Sequence, residues 1–444
     1  MTTTGWPAGR PAARPAVRWV LEHGLPRVVM GRAVRRGDLQ ARLILDPAVR
    51  EDPYPTQERI RAEGPLVRGR LSWLSVDHAV CREVLRSEDF GAVSPAAMLP
   101  GVLRRAGAWA HDTRALGPLD PPSLLVVEPP DHTRYRRLVS KVFTARAVEE
   151  LRPRVQAVAD RLLEDLSRAG DEPVDLVERY ATLLPVTVIA DILGVPAGQH
   201  ERVLELGNRV APSLDLGLTW REFRGVHEGL LEFNQWLTEH LDGLRRSPGD
   251  DLLSQLVSAE DEGVRLDETE LRATAGLLLG AGFETTVNLI GSGARLLLDH
   301  PGQLAVLTAE PERWPDAVEE VLRYESPVQV TGRVALRDTA VAGRRVAAGR
   351  MVTTLLGGAN RDPVAFADPH RFDVTRANAR DHLAFSGGRH FCLGAALARV
   401  EGEVGLRSLF ERFPDLAAAP GAGRRGTRVL RGWERLPVVL GAPA

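Results

Sequence analysis

Hydrophobic residues recur at intervals of three and four through most of the chain, which predicts one helix after another. The clearest examples are residues 155–168, 176–193 and 220–246. A longer helix is predicted from Asp267, which can cap it, to about His300. Alternating apolar positions are confined to short runs near residues 66–76 and 328–355. The pattern therefore predicts a mainly α-helical protein with a small β region.

The first 40 residues differ from the rest of the chain. They are rich in Arg, Pro and Gly, so residues 1–40 predict a partly ordered leader with short helical pieces, broken near Gly24 and Pro26. A basic amphipathic helix here could touch a membrane surface, but an additional surface helix is the simpler interpretation. No linker, repeat or low-complexity tract divides residues 41–444, which are expected to form one domain.

Composition excludes several function classes. The net charge of −2 does not favour nucleic-acid binding, and the near absence of lysine beside many arginines reflects a GC-rich coding genome rather than a function. Two cysteines, Cys81 and Cys392, cannot build a disulfide framework and fit a reducing compartment. The longest mostly apolar run, residues 273–283, is too short to span a bilayer. We therefore expect a cytoplasmic protein with no membrane anchor and no nucleic-acid partner.

The second cysteine lies in an unusual local sequence. Residues 385–399 read Phe-Ser-Gly-Gly-Arg-His-Phe-Cys-Leu-Gly-Ala-Ala-Leu-Ala-Arg. Ser and Gly at 386–388 disfavour a helix and the later residues favour one, so Cys392 is predicted at a loop-to-helix junction. The helix dipole stabilises a thiolate there. A lone cysteine is ordinarily a small buried side chain, but the donors beside it, His390 among them, favour an iron porphyrin with propionates.

A predicted helix after Pro129-Pro130 carries several basic side chains. Asp131 can cap it, and His132 and Arg136 then lie four apart on one face, where two cationic donors suit a carboxylate. By themselves such residues usually form a solvated basic face. Arg134 and Arg137 point away from that face and are candidates for docking an acidic electron donor.

The middle of the longest predicted helix is poor in helix-forming residues. Residues 279–286 read Leu-Gly-Ala-Gly-Phe-Glu-Thr-Thr, and each glycine costs about 1 kcal/mol relative to alanine. Small residues let a flat ligand approach the backbone, and Thr285 can bond either a helix carbonyl or a guest atom. Glu284 beside it offers a proton path. A buried helix with a bend is the alternative interpretation.

These segments resemble motifs of the cytochrome P450 family. Residues 385–394 resemble its haem-ligand signature, Phe-x-x-Gly-x-His/Arg-x-Cys-x-Gly, at every fixed position, with Ser386 as an accepted variation. Residues 281–285 resemble its oxygen-activation motif, Ala/Gly-Gly-x-Asp/Glu-Thr. The markers follow the family's order over residues 46–412, which is most of the chain.

Two further positions match structural features of that family. Glu320 and Arg323 are three apart on a predicted helix and resemble its buried charge network, for which Arg371 or Arg376 would be the third member. Arg333, in a predicted strand, resembles the arginine that binds a haem propionate.

The resemblance implies the cytochrome P450 fold, a triangular helix-rich prism around a buried haem b. It implies that Cys392 is the axial ligand of the haem iron, that Glu284 and Thr285 deliver protons during dioxygen activation, and that Glu320 and Arg323 are structural. The residues that it implies for cofactor binding are His132, Arg136, Ala281, Gly282, Arg333, Phe385, His390, Cys392 and Gly394.

The resemblance also implies a soluble bacterial monooxygenase that hydroxylates a small apolar organic substrate. The sequence has no flavin or iron–sulfur motif, so electrons are expected from a separate ferredoxin and ferredoxin reductase. Two alternatives stay open: a peroxide-using or coupling variant, and a haem-thiolate ligand sensor without turnover. The Glu284–Thr285 pair favours dioxygen activation, because a sensor needs no proton delivery. Apolar candidates for the pocket, Leu278, Ala281 and Val328, fit terpenoids, steroids, fatty acyl chains and polyketides equally.

Overall fold

The structure is a computed structural model and describes residues 13–92, 94–140, 145–170, 172–260 and 265–443. Helices dominate these ranges, as the spacing of apolar residues predicts. The α-helices are α1 Ala13–Trp19, α2 Leu25–Val34, α3 Leu39–Leu45, α4 Pro47–Glu51, α5 Tyr54–Ala62, α6 His78–Arg86, α7 Gly101–Ala110, α8 Asp131–Ser140, α9 Ala145–Glu150, α10 Arg152–Ser167, α11 Leu183–Ile192, α12 His200–Val210, α13 Trp220–Arg246, α14 Leu252–Ser258, α15 Glu268–Asp299, α16 Pro301–Ala309, α17 Trp314–Tyr324, α18 Leu356–Ala359 and α19 Ala395–Arg412.

The strands are short. They are β1 Val67–Arg68, β2 Trp73–Ser75, β3 Phe90–Gly91, β4 Val174–Asp175, β5 Val330–Ala335, β6 Thr339–Val341, β7 Arg344–Val346, β8 Met351–Leu355, β9 Ala417–Ala418, β10 Gly423–Arg424, β11 Trp433–Arg435 and β12 Pro437–Val439. The largest sheet has the order β1-β2-β8-β5-β3, and β4-β12-β9, β10-β11 and β6-β7 form smaller sheets. The prediction of a mainly α protein with a small β region is confirmed.

Helix α15 runs through the main hydrophobic core. It begins with a capping box in which Asp267 accepts from the Glu270 backbone N–H and Glu270 accepts from that of Asp267, so the predicted cap is correct. Leu279, Ile290 and Leu297 on this helix are fully buried, and the helix packs against α11, α13 and α19. Among the described helices it alone is long and apolar enough to cross a bilayer, and most of that stretch lies inside the fold, as in the core helix of a globular protein.

One local prediction is wrong. The helical leader is not broken near Gly24 and Pro26, because a π-helical turn, Val20–Gly24, joins α1 to α2 without interruption. Pro26 lies in the first turn of α2, directly after this π-helical turn. Residues 94–122 contain α7 and a short 3₁₀ turn, Pro95–Met98. Residues 1–12 of the predicted leader lie outside the described part of the chain.

Candidate active site

The loop before α19 places Cys392 at the predicted junction between loop and helix. Its backbone N–H donates to the carbonyl of Phe385 across 3.0 Å, and Gly394 is the N-cap residue of α19. Gly388 adopts a φ of +65°, and a methyl group there would lie 2.4 Å from the carbonyl oxygen of Leu85 in α6. Only glycine fits at this position, so close packing on α6 shapes the loop that presents the cysteine.

The two cysteines of the chain have contrasting surroundings. Cys81 is fully buried in α6, and burial raises the pKa of its thiol to about 12. Cys392 is exposed, although protein atoms surround it on most sides. Desolvation raises the pKa of the Cys392 thiol, while a hydrogen bond from the Gly394 backbone and the charges of Arg136 and Arg399 lower it. Cys392 is thus the accessible thiol, and its cationic neighbours favour the thiolate.

A carboxylate that the sequence analysis did not identify as functional organises the cations near this loop. Glu128 accepts from His390 Nε2 across 2.9 Å, from Arg389 Nη1 across 2.5 Å and from the Ala92 backbone N–H across 2.6 Å. Burial opposes its ionisation, but these donors hold the pKa of Glu128 at about 2. In the same region Arg333 Nη2 donates to Ser386 Oγ across 3.3 Å. In the sequence, the only indication of this role is that Glu128 directly precedes Pro129-Pro130.

His132 and Arg136 of α8 lie on one helix face, but the surroundings of the two side chains differ. The His132 ring is 4.5 Å from that of His390, and its Nε2 is buried with no hydrogen-bond partner among the described residues. Desolvation and the charge of His390 lower the pKa of His132 to about 4, so the expected cation is a neutral imidazole at physiological pH. Arg136 makes no ion pair within the described ranges, and the charge that most favours its ionisation is that of Cys392.

Arg134 is not a free docking cation. Its guanidinium pairs with Glu270 at the start of α15, with Nη2 2.5 Å from Oε1, and packs over the ring of Tyr135. Tyr135 also donates to Glu270 across 2.7 Å. These contacts tie α8 to α15, which makes Arg134 a structural residue.

The middle of α15 places an acid beside an alcohol, as the motif suggests. Thr285 Oγ1 donates to the carbonyl of Ala281 across 2.9 Å, within an unbroken helix. Glu284 is 4 % exposed, and neither carboxylate oxygen has a hydrogen-bond partner in the described residues. Arg425, which precedes the turn to β11, places Nη1 3.6 Å from Glu284 Oε1. Burial raises the pKa of Glu284, and Arg425 partly opposes that rise.

The two small residues predicted to contact a flat cofactor have different surroundings. Ala281 is exposed although it lies in the middle of a core helix, which leaves its surface available to a ligand. At Gly282 a methyl group would lie 2.9 Å from Ile189 Cγ1 on α11, so the missing side chain makes room for helix packing. A cofactor contact at Gly282 stays a prediction and would have to be made by its backbone.

A second buried acid, Glu401, lies beside Thr286 in the middle of α15. Glu401, on α19, is 2 % exposed and its Oε1 has no hydrogen-bond partner among described atoms. Burial raises the pKa of Glu401 well above its usual value, and Thr286 beside it lowers that pKa slightly. Thr286 itself donates to the carbonyl of Gly282 across 3.2 Å. Nothing in the sequence distinguishes Glu401 from the other acids of α19, so no motif could have identified it.

The predicted structural pair is completely buried. Arg323 donates to Glu320 through Nε and Nη2, across 2.7 and 2.8 Å, and its Nη1 donates to the carbonyls of Asn360 and Pro369. Of the two expected third members, Arg376 supplies the side chain, 3.2 Å from Glu320 Oε2. Arg371 contributes only its backbone carbonyl.

Comparisons with known proteins show the family to which the chain is related. The family model described as Cytochrome P450 matches residues 117–313 and 315–417. The chain is 55% identical over 433 residues to cytochrome P450 140 of Mycobacterium tuberculosis, covering 96% of this chain and 97% of the relative. It is 38% identical over 397 residues to 6-deoxyerythronolide B hydroxylase of Saccharopolyspora erythraea, covering 88% and 96%.

Solved structures show the same relationship. The chain superimposes on Mycobacterium smegmatis CYP164A2 with econazole bound at a TM-score of 0.80 and 38% identity, covering 90% of this chain and 99% of that chain. The family match and the shared fold place the chain in the haem-thiolate class of oxidoreductases. The chain belongs to the cytochrome P450 family, whose members are haem-dependent monooxygenases that use dioxygen and redox partners.

Proposed function

We propose that this protein is a monooxygenase that activates dioxygen and hydroxylates a small apolar organic substrate. The observation that carries the proposal is the pair on α15: Glu284, buried with no hydrogen bond to either oxygen among the described residues, directly precedes Thr285. Arg425 lies 3.6 Å from it and makes no hydrogen bond to it. A buried acid without a hydrogen bond weakens a fold, so its presence beside a hydroxyl is best explained by proton transfer. A ligand sensor has no use for this pair.

The donor set fits a haem. An accessible Cys392 thiol suits the iron, and the propionates suit Arg333, His390, Arg136 and the orphaned Nε2 of His132. Phe385, Ala281 and Gly394 supply apolar or small surfaces around that position. When bound, haem supplies the oxidising chemistry through its iron, and the cysteine thiolate increases the electron density there.

The chain's own residues control the proton. Burial raises the pKa of Glu284, so its carboxyl group keeps a proton to higher pH than an ordinary glutamate does. The adjacent Thr285 hydroxyl, now bonded to Ala281, can rotate to receive and pass on a hydrogen bond. Arg425 limits how far the pKa of Glu284 rises, which allows the acid to release its proton.

Electrons come from a separate protein in this proposal. An iron–sulfur cluster needs about four cysteine ligands, and this sequence has two cysteines, of which Cys81 is buried in the core. We therefore infer that a ferredoxin, reduced by its ferredoxin reductase, donates the electrons. We also infer a cytoplasmic location, where these donors are kept reduced. Arg134 is not assigned to the surface on which the ferredoxin docks, because it already pairs with Glu270.

The test is turnover of the haem-loaded protein with a generic ferredoxin and ferredoxin reductase under ¹⁸O₂. Substrates are first selected as apolar compounds that shift the resting haem to high spin, from a panel of terpenoids, steroids, fatty acids and polyketide lactones. 6-Deoxyerythronolide B belongs in that panel, because a relative 38% identical to this chain is named for its hydroxylation. We expect a product containing one ¹⁸O atom.

Two results would contradict the proposal. Spectral binding of many compounds with no product from any of them would favour a sensor. Product formed with hydrogen peroxide but not with dioxygen and the electron donors would favour a peroxide-using variant.

A further inference from the structure

The outer face of helix α2 takes no part in the site described above. Leu25, Val28 and Val29 are 47, 55 and 49 % exposed on it. Arg32 continues their spacing on the same side of the helix, and the exposed Arg35 and Arg36 follow directly after its last residue, Val34. The α2 stripe, as we name it, consists of Leu25, Val28, Val29, Arg32, Arg35 and Arg36.

The inner face of α2 explains why this stripe points outward. Met30 and Ala33 are buried and form a small core with Ala41 of α3. That face packs the helix on the fold, while about half of the surface of the aliphatic side chains in the stripe remains in solvent. Three neighbouring aliphatic side chains exposed by about half form an apolar patch that a partner would cover.

The segment that carries the stripe, residues 13–37, is predominantly basic. Residues 13–37 contain six arginines and one acid, Glu22, which already pairs with Arg18 across 3.0 Å. Arg32, Arg35 and Arg36 form no ion pair with any residue in the described ranges. The stripe therefore combines exposed aliphatic surface with three uncompensated positive charges.

The stripe is fixed to a connection in the main fold. Trp19 Nε1 donates to the carbonyl of Leu218 across 3.0 Å, and Arg27 Nη1 donates to that of Gly217 across 2.5 Å. Both acceptors lie between α12 and α13. Helix α7, which packs against α1, repeats the same composition: Val102 is 83 % exposed, and α7 carries two exposed arginines and no acid.

We propose that the α2 stripe docks on an anionic phospholipid surface, with α7 as a second contact. Aliphatic side chains at the boundary between headgroups and acyl chains, with arginines at the phosphates, are the two components of reversible interfacial binding. A lipid surface accounts for both components, whereas an acidic protein surface accounts only for the arginines. The docking does not depend on the monooxygenase proposal, but it would bring residues 211–219 close to a reservoir of apolar compounds.

The test is sedimentation of the full-length, haem-loaded protein with vesicles of phosphatidylcholine alone or mixed with phosphatidylglycerol. We expect binding to the anionic vesicles that falls as salt is raised, because exposed charges are screened. The variant Arg32→Glu/Arg35→Glu should reduce the partition coefficient at least about 25-fold, since the loss of each arginine is worth roughly fivefold and each glutamate adds repulsion. Val28→Asp/Val29→Asp should reduce it at least about tenfold by removing the apolar contact.

Matched controls lie elsewhere on the surface. Val364→Asp changes an aliphatic residue that is 92 % exposed, and Arg344→Glu/Arg350→Glu reverses two exposed arginines near β7. Both controls should bind as the wild type does, and all variants should keep the wild-type circular dichroism. Equal binding to both kinds of vesicle, or no binding, would overturn the proposal. Loss on reversing the arginines but not on Val28→Asp/Val29→Asp would indicate an acidic macromolecule instead.

Discussion

Buried carboxylates have opposite surroundings in two regions of this molecule. Around the cysteine loop and the end of α17, each carboxylate is matched: Glu320 by Arg323 and Arg376, and Glu128 by His390 and Arg389. Around the middle of α15, Glu284 and Glu401 have oxygens without hydrogen-bond partners among the described residues. Hydrogen-bonded charges hold loops in position, whereas a buried acid that lacks hydrogen bonds costs stability. The contrast sets the paired carboxylates apart from the acids near the proposed proton path.

The largest expected effect is on stability. Arg323→Ala should lower the free energy of unfolding by about 3–5 kcal/mol, because it removes two charged hydrogen bonds from the buried Glu320 and leaves Arg376 as its remaining cation. Chemical denaturation of the haem-loaded protein measures it. The matched control is Glu401→Gln, which should cost less than about 1 kcal/mol or stabilise, because burial already favours the neutral acid. Equal losses in both variants would remove the distinction between the regions.

Glu401 also gives a pH dependence with a definite sign. Its folded-state pKa is raised, so the folded state holds the proton more tightly and stability should decrease as pH rises above the ordinary glutamate pKa. Glu401→Gln should flatten that part of the stability profile. An unchanged profile would show that Glu401 does not titrate differently in the folded protein.

The next effect is on turnover. Glu284→Gln should lower coupled product formation about 100-fold, a typical contribution of a general acid, while Glu284→Asp keeps part of it. Thr285→Ala should let electron consumption continue while product formation falls. The ratio of product to NADPH consumed measures both, with an unchanged carbon monoxide spectrum showing intact haem binding. Unchanged coupling in Thr285→Ala would exclude the hydroxyl from proton transfer.

A smaller effect is expected at the matched carboxylate Glu128. Its pKa is about 2, below the ordinary value near 4.3, so its stabilising contribution is complete at neutral pH and is lost as pH falls through that window. Glu128→Gln should cost about 1 kcal/mol at pH 7 and little near pH 2. Thermal unfolding at several pH values measures it, and a constant difference across pH would contradict the assignment.

The smallest effect concerns Arg425. Removing its charge in Arg425→Gln should raise the pKa of Glu284 further, because Arg425 opposes the effect of burial. The alkaline limb of the coupling-versus-pH profile should therefore move to higher pH, with little change in stability. A shift to lower pH, or the same shift in the Glu284→Gln background, would show that Arg425 acts elsewhere.

Local patterns predict much of this fold and part of the site. Helical periodicity located α13 and α15, the capping signal located Asp267, and glycines preceding a helix located Cys392. Contacts between distant segments were beyond local patterns. Arg425 lies about 140 positions after Glu284, and only the packing of the β10–β11 region on α15 brings the two together.

The charge state of a group was equally hard to predict. His132 looked cationic by residue type, but its burial against His390 makes it neutral. The space beside Gly282 looked available to a ligand because glycine is small, but Ile189 occupies that side of the helix. In each case the deciding quantity is the three-dimensional neighbourhood, which the sequence does not state.

The carbon monoxide difference spectrum of the reduced, haem-loaded protein tests the central claim most directly. A thiolate ligand gives a strongly red-shifted Soret band, and we expect that band in the wild type and in Cys81→Ser, since Cys81 is buried in the core. It should be absent in Cys392→Ser, provided that this variant still binds haem. A wild-type spectrum without the band, or a Cys392→Ser spectrum that keeps it, would contradict the assignment of Cys392 as the iron ligand.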